Sequence, residues 1–315
     1  MFFYENYSLV NILGVIVLLV ILFTLNEFTR KSKRLSIIMF ILVPLGFTLF
    51  VWPITSQSDT TKGNWFAWVK VYSALAGVIG FMAIRYSHKL QMNKKFLFFP
   101  LVILSVNILE AVIRDFQIYS YDGVEINGLF LQGGIWNIFN GIAGLLTIIT
   151  LTGWGMIRIS KTKSRDMVWA DQLWFYIIGY SLWNISYVYN CIPDRSFYAG
   201  VVLLSIALFT AFSVGKGAWL QHRAQTLALF AMFTLTFPMY STWSLFSIVP
   251  THETLPKLVL SLVSLTVNLG VLTYQIHTVI KYKRNPFTKE LYTHTTAYQK
   301  LLVFNKIPKT LESSK

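Results

Sequence analysis

The sequence predicts an all-α protein, a polytopic bundle of about nine transmembrane helices. Hydrophobic residues make up 55% of the 315 residues, charged residues only 13%, and the mean hydropathy is +0.55. Soluble domains carry about 25% charged residues, so this composition is typical of a membrane protein. The apolar residues also fall into runs of about 20, the length that a helix needs to cross a hydrocarbon core roughly 30 Å thick.

Nine apolar runs meet this length requirement, and short polar links such as SKTKSRD separate them. Because the links are too short to fold as domains, we expect one transmembrane domain over residues 1–281 and a basic cytoplasmic tail over residues 282–315. No basic residue precedes the first run, which predicts a retained helix and not a signal peptide. The expected helices cover residues 8–28, 35–53, 65–84, 96–116, 135–157, 169–189, 197–214, 224–248 and 258–280.

The basic residues predict the orientation of the bundle. When the links are assigned alternately to the two sides, 22 of the 27 lysines and arginines fall on one side, Lys216 and Arg223 among them. The links on the other side hold only Lys62, Arg195 and Lys257. Lysine and arginine mark the cytoplasmic side, so the amino terminus should lie outside and the carboxyl terminus in the cytoplasm. The basic residues on the cytoplasmic side then account for the net charge of +14, and we expect no nucleic-acid partner.

Cysteine and histidine are too scarce for most cofactor chemistry. Cys191 is the only cysteine, which excludes a disulfide within the chain and a cysteine-based metal site. It lies in the link YNCIPDRS, where we expect a free thiol near the outer surface. His277 is the only histidine in a predicted helix, and no phosphate-binding loop or hydrolase elbow occurs. We therefore expect neither a cofactor nor a metal.

Charged residues interrupt two of the apolar runs. Each costs about 2.5 to 3.5 kcal/mol inside a membrane, so each is a candidate functional residue. Asn107, Glu110 and Arg114 follow helical spacing and share one face of the fourth helix. Glu110 precedes Arg114 by four residues, which predicts an ion pair between them. Lys70 shares a stripe of the third helix with small residues, so its side chain should enter the bundle.

Amide and aromatic residues add two further stripes at similar depth. Asn137 and Asn140 open the fifth helix, while Tyr180, Asn184 and Tyr187 share one face of the sixth. Such stripes avoid lipid only if they meet in the interior, which predicts one polar, aromatic-lined cluster in the outer half of the bundle. The candidate ligand-binding residues are Lys70, Asn107, Glu110, Arg114, Asn137, Asn140, Tyr180, Asn184 and Tyr187.

Several strings carry a family resemblance over most of the chain. They are FVWPITS, WFAWVKVYSALAGVIGFMAIR, NILEAVIRDFQ, NGIAG, YVYNC and KGAWLQHRAQTLALF. Together they resemble an uncharacterised family of bacterial multi-pass integral membrane proteins, known as a domain of unknown function. The resemblance implies a membrane protein, and we expect it in the bacterial cytoplasmic membrane. It supplies no activity, ligand or catalytic residue.

Three functions are consistent with a polar cluster inside the bundle. The interpretation that we favour is binding or transport of a small solute, with the lipid bilayer and a small polar solute or lipid head group as partners. The second is an intramembrane enzyme acting on a lipid-linked substrate, with Glu110 or Asp115 as general base and Lys70 or Arg114 holding an anionic head group. The third is a sensor or assembly subunit. An enzyme would show a carboxylate free of Arg114 and open sideways to lipid, and a transporter a cavity closed at its cytoplasmic end.

Overall fold

Helices form within all nine predicted apolar runs. The computed structural model describes residues 2–5, 7–55, 65–126, 129–237, 239 and 244–308. In this part of the chain two short helices, His88–Gln91 and the 3-10 helix Pro193–Arg195, and a tenth helix near the carboxyl end join the nine. The long helices are α1 (Leu9–Lys31), α2 (Lys33–Thr55, with π-helical turns), α3 (Trp65–Tyr86), α4 (Phe96–Ile118), α5 (Ile135–Ile149), α6 (Trp174–Cys191), α7 (Phe197–Phe212), α8 (Trp219–Thr236), α9 (Thr254–Tyr282) and α10 (Thr296–Phe304).

The helices differ in whether they could cross a membrane. Five of those in the described residues are long and apolar enough: α1, α2, α4, α9 and the part of α3 from Trp68 to Tyr86. Helices α5 and α7 are apolar but shorter, at 10–17 residues. The structure thus supports transmembrane helices, while the number of nine spans and their orientation stay predictions.

Two predicted helix boundaries between α5 and α6 are wrong. Helix α5 ends at Ile149 and not at residue 157, because Gly153 and Gly155 adopt φ angles of +62° and +71° that turn the chain away from the helix. Helix α6 begins at Trp174 and not at residue 169, because Trp169 belongs to a strand. The intervening residues form an antiparallel hairpin outside both helices.

Helix α8 is shifted toward the amino terminus relative to the predicted run over residues 224–248. It begins at Trp219 and ends at Thr236. The polar residues Gln221, His222 and Arg223 lie inside this helix and are buried, although the predicted boundary placed Arg223 in a cytoplasmic link. Their side chains face the bundle interior.

Short antiparallel strand pairs occupy the links. Strand β1 (Tyr4–Glu5) pairs with β6 (Val249–Pro250), β2 (Val124–Ile126) with β3 (Leu129–Leu131), and β4 (Ile157–Ile159) with β5 (Met167–Trp169). The first pair ties the beginning of the chain to the segment before α9. The last pair, the β4–β5 hairpin, receives the carboxyl-terminal segment.

Two hydrophobic cores hold the helices together. One core centres on α4, α5 and α6 and includes the buried residues Ile108, Ala143 and Trp183. The other joins α1, α2, α3, α7 and α8 and includes Leu22 and Trp52. Helix α9 packs against α5 and α6, and Asn268 donates a 3.0 Å hydrogen bond to the Gly179 carbonyl of α6. The cavity described below has walls from both cores.

The carboxyl-terminal segment folds onto the β4–β5 hairpin. The Asp171 carboxylate accepts hydrogen bonds from the backbone N–H groups of Leu291 (2.8 Å) and Tyr292 (3.0 Å). Arg158 of β4 forms an ion pair with Glu290, and α10 shares a third apolar core with the hairpin. The predicted basic tail is therefore ordered and packed through residue 308, while its cytoplasmic location stays a prediction.

A buried ionic network joins three helices to the β4–β5 hairpin. Arg30 Nε lies 3.1 Å from each carboxylate oxygen of Asp166, and Arg30 Nη1 donates to Glu27 at 2.8 Å. Gln221 of α8 donates to Asp166 at 3.1 Å, and Arg85 of α3 donates to the Arg30 carbonyl at 2.6 Å. Burial alone would raise the pKa of Asp166, but its hydrogen bonds and the nearby positive charge hold that pKa below its usual value. The carboxylate is therefore charged at neutral pH.

We predict that Asp166→Ala lowers the free energy of unfolding by about 3–5 kcal/mol, the usual cost of removing one partner of a buried ion pair. Lys31→Ala is a matched control, because Lys31 pairs with Glu27 at 3.1 Å but its side chain is 63% exposed. That variant should lose less than about 1 kcal/mol. Thermal unfolding of both proteins in one uncharged detergent measures the difference. Equal melting temperatures would contradict a structural role for the network.

Candidate functional site

An elongated cavity of about 590 Å³ lies among α3, α4, α6, α7 and α8. Along α4, its lining residues run from Ile103 to Gln117, which at 1.5 Å per residue corresponds to about 20 Å. Its volume is typical of pockets that hold one small ligand. The wall contributed by α3 and α8 is largely apolar and includes Val71, Phe230 and Leu235.

The cavity brings together seven of the nine candidate residues. The face of α4 with Asn107, Glu110 and Arg114 lines it, as the helical spacing predicts, and Lys70 lines it from α3. Its wall on α6 is aromatic, because the rings of Trp183 and Tyr187 stack with centroids 6.2 Å apart. The seven residues are Lys70, Asn107, Glu110, Arg114, Tyr180, Asn184 and Tyr187. Their role in binding a ligand stays a prediction.

The predicted ion pair between Glu110 and Arg114 is wrong. Glu110 pairs across the cavity with Lys70, whose Nζ atom lies 3.5 Å from Glu110 Oε2. Within the described residues no ion pair shorter than 4.0 Å joins Glu110 to Arg114. The two residues share a helix face, but Lys70 on the neighbouring helix offers Glu110 a partner that sequence spacing within α4 does not reveal. The side chains of Lys70 and Glu110 are 29% and 42% exposed, so this pair lies at the edge of the cavity.

Asn137 and Asn140 lie in a separate buried cluster. They donate hydrogen bonds to the two carboxylate oxygens of Asp115, at 3.0 Å and 2.8 Å. The Cys191 thiol lies 3.2 Å from Asp115 Oδ1, and its sulfur also accepts a hydrogen bond from Asn137 Nδ2. The prediction of one connected polar cluster is therefore wrong for the two asparagines. The expected exposure of Cys191 is wrong as well, since that residue is 1% exposed.

The structure adds Arg223 and Arg195 to the cavity wall. Arg223 is 7% exposed, and its Nη2 atom donates to Asn184 Oδ1 at 3.3 Å. The other two guanidinium nitrogens, Nε and Nη1, are buried without a hydrogen-bond partner among the described residues. A buried guanidinium is normally paired with an acid or fully hydrogen-bonded, so Arg223 departs from the usual pattern. The predicted helix boundaries placed both arginines in links between helices. For Arg223, the polar run LQHRAQ at the start of α8 was a signal of buried polar residues.

Positive charge predominates in the cavity. Among its described lining residues, four are basic and Glu110 alone is acidic. Lys70 pairs with Glu110, so the basic residues that line the cavity outnumber its acidic residues. Low-dielectric walls strengthen their attraction for an anion, and guanidinium groups suit carboxylate and phosphate oxygens. The basic lining residues are Lys70, Arg114, Arg195 and Arg223.

Within the described ranges, five helices are long and apolar enough to cross a membrane, which is the pattern of a helical membrane protein. The match to a family model covers residues 5–303, and the chain therefore belongs to the family of unknown function DUF5692. No curated protein and no solved structure matches the chain. The resemblance to an uncharacterised domain family is thus confirmed, while the bacterial origin that it implied stays a prediction. The family brings no activity or ligand with it.

Proposed function

We propose that the protein binds a small organic anion in the cavity inside its helical bundle, in a binding or transport role. The observation that carries the proposal is Arg223, a buried guanidinium on the cavity wall that makes one hydrogen bond, to Asn184, and no ion pair within 4.0 Å among the described residues. Arg114 and Arg195 also line the cavity and supply further positive charge. An anion bound at Arg223 would accept hydrogen bonds from its Nε and Nη1 atoms and balance its charge.

The proposal includes the predicted topology: nine spans in the bacterial cytoplasmic membrane, with the amino terminus outside and the carboxyl terminus inside. The distribution of basic residues supports this orientation. Reporter fusions after Lys163 and at the carboxyl terminus should both be cytoplasmic. A fusion after Lys163 on the outside would reject the orientation.

Octyl phosphate, a soluble organic anion, tests the binding proposal. We predict that it raises the melting temperature of the wild-type protein in an uncharged detergent, because a ligand at 100 times its dissociation constant stabilises the bound state by about 2.7 kcal/mol. Octanol, which lacks the charge, should produce no such shift. The shift should disappear in Arg223→Gln, which keeps a polar side chain but loses the positive charge.

Arg34→Gln is the matched control for Arg223→Gln. Arg34 is exposed at the beginning of α2 and is not among the residues that line the cavity, so its loss should leave the octyl phosphate shift intact. A shift of equal size in the wild type and in Arg223→Gln would reject the cavity as the anion site. No shift in the wild type would reject the binding of this class of anion.

A second candidate function is an intramembrane enzyme that acts on a lipid-linked substrate. It is supported by Glu110, whose carboxylate is separate from Arg114 and 42% exposed, and which could act as a general base. An enzyme would change the composition of a membrane lipid extract, and Glu110→Gln would abolish that change while octyl phosphate binding remained. Mass spectrometry of the extract before and after incubation makes the comparison. An extract left unchanged by the wild type would reject this function for the lipids it contains.

A further inference from the structure

The cavity has its partly exposed edge between α3 and α4. At one end of this seam the two helices are in close contact, because Gly80 lies against the Phe99 ring with no room for a Cβ atom. Near the other end, Lys70 of α3 and Glu110 of α4 form an ion pair with their charged atoms 3.5 Å apart. Both side chains line the cavity and are partly exposed, so the seam between α3 and α4 carries an ion pair at this point.

The surface around this ion pair is apolar. Large hydrophobic side chains flank the ion pair on the outward faces of α3 and α4, each between 41% and 56% exposed: Val69, Tyr72, Val106, Leu109 and Ile113. In a helix of membrane-spanning length, such a face contacts acyl chains. A partly exposed ion pair within it marks an entrance from the bilayer, because an ordinary lipid-facing surface carries no charge.

The interior of the cavity is amphipathic. Toward the start of α4 its walls are apolar, with Ile103 and Leu104 opposite Phe81 of α3. Toward the end of α4 they are polar and charged, with Arg114 and Gln117. The cavity thus extends for about 20 Å with apolar surface and cationic donors in the same space, about two-thirds of a hydrocarbon core. A soluble inorganic anion would use only the charged groups.

We infer that the ligand is a single-chain anionic lipid, with a phosphate or carboxylate head group, that enters from the bilayer between α3 and α4. This inference rests on the proposed anion-binding function and names the class of anion. Arg223 binds the head group, Arg114 and Arg195 add positive charge to the cavity, the apolar walls of α3 and α8 bind the chain, and the Lys70–Glu110 pair lies at the entrance. A cavity of about 590 Å³ has room for one chain and head group.

Photolabelling in a bilayer tests this inference. The probe is hexadecyl phosphate carrying a diazirine on its chain, added to the full-length protein in phosphatidylcholine nanodiscs. We expect crosslinks to cavity-lining residues of α3, α4 and α8, identified by peptide mass spectrometry. Unlabelled hexadecyl phosphate should compete, whereas equimolar hexadecanol and inorganic phosphate should not. Labelling should fall at least tenfold in Arg223→Gln and stay unchanged in Arg34→Gln.

The alternative outcomes separate the inference from the proposed function. If inorganic phosphate competes as well as hexadecyl phosphate, the site takes a soluble anion, and the inference is wrong while anion binding stands. If hexadecanol competes equally and Arg223→Gln labels like the wild type, the probe reports ordinary surrounding lipid, and the inference is wrong. The melting temperature of Arg223→Gln without probe verifies that this variant is folded, so that lost labelling reports the site and not unfolding.

Discussion

Burying a guanidinium costs several kcal/mol unless hydrogen bonds and opposite charge replace its water, and this cost governs where the arginines of the bundle lie. For Arg30 this cost is offset by ion pairs with two carboxylates, those of Glu27 and Asp166. Arg85 meets it with three hydrogen bonds to backbone carbonyls. Through these contacts the two arginines connect α1, α3 and the β4–β5 hairpin, so the packing of the bundle depends on them. Arg223 is the exception, because it is buried with one hydrogen bond at 3.3 Å and no carboxylate within 4.0 Å among the described residues.

The contrast between Arg223 and the other two buried arginines is the main support for the proposal that the cavity binds a ligand. A bundle that needed only stability would place an apolar residue at position 223, since apolar replacements of buried ions are often neutral or stabilising. Polar groups that lower stability are characteristic of binding sites, where a ligand supplies the missing partner. The Asp115 carboxylate shows the opposite arrangement, because asparagines donate hydrogen bonds to both of its oxygens and Asp115 is not among the described residues that line the cavity. This contrast associates Asp115 with the packing of α4, α5 and α6, and it is the basis of the proposal that Arg223 binds a ligand.

Helical periodicity predicted much of the site, because it depends only on one helix at a time. The face of α4 with Asn107, Glu110 and Arg114 and the face of α6 with Tyr180 and Asn184 were read from spacing alone. The pairing of Glu110 with Lys70 could not be read, because which helices are neighbours depends on tertiary packing. Arg223 was missed for a different reason. Near a helix end, the residues that surround an arginine do not distinguish a position in a link from one inside the bundle. Placing Arg223 in a link also fitted the excess of basic residues expected on the cytoplasmic side, so the link was preferred.

The stability of Arg223→Met without any added ligand tests the central claim most directly. Met keeps much of the apolar stem but removes the charge, so if Arg223 serves a ligand and not the fold, this variant should melt at or above the wild-type temperature. Arg30→Met, in which two carboxylates lose their partner, should melt well below it. Thermal unfolding of the three proteins in the same uncharged detergent gives the comparison. A loss of stability in Arg223→Met as large as that in Arg30→Met would contradict the account, because Arg223 would then be a structural residue.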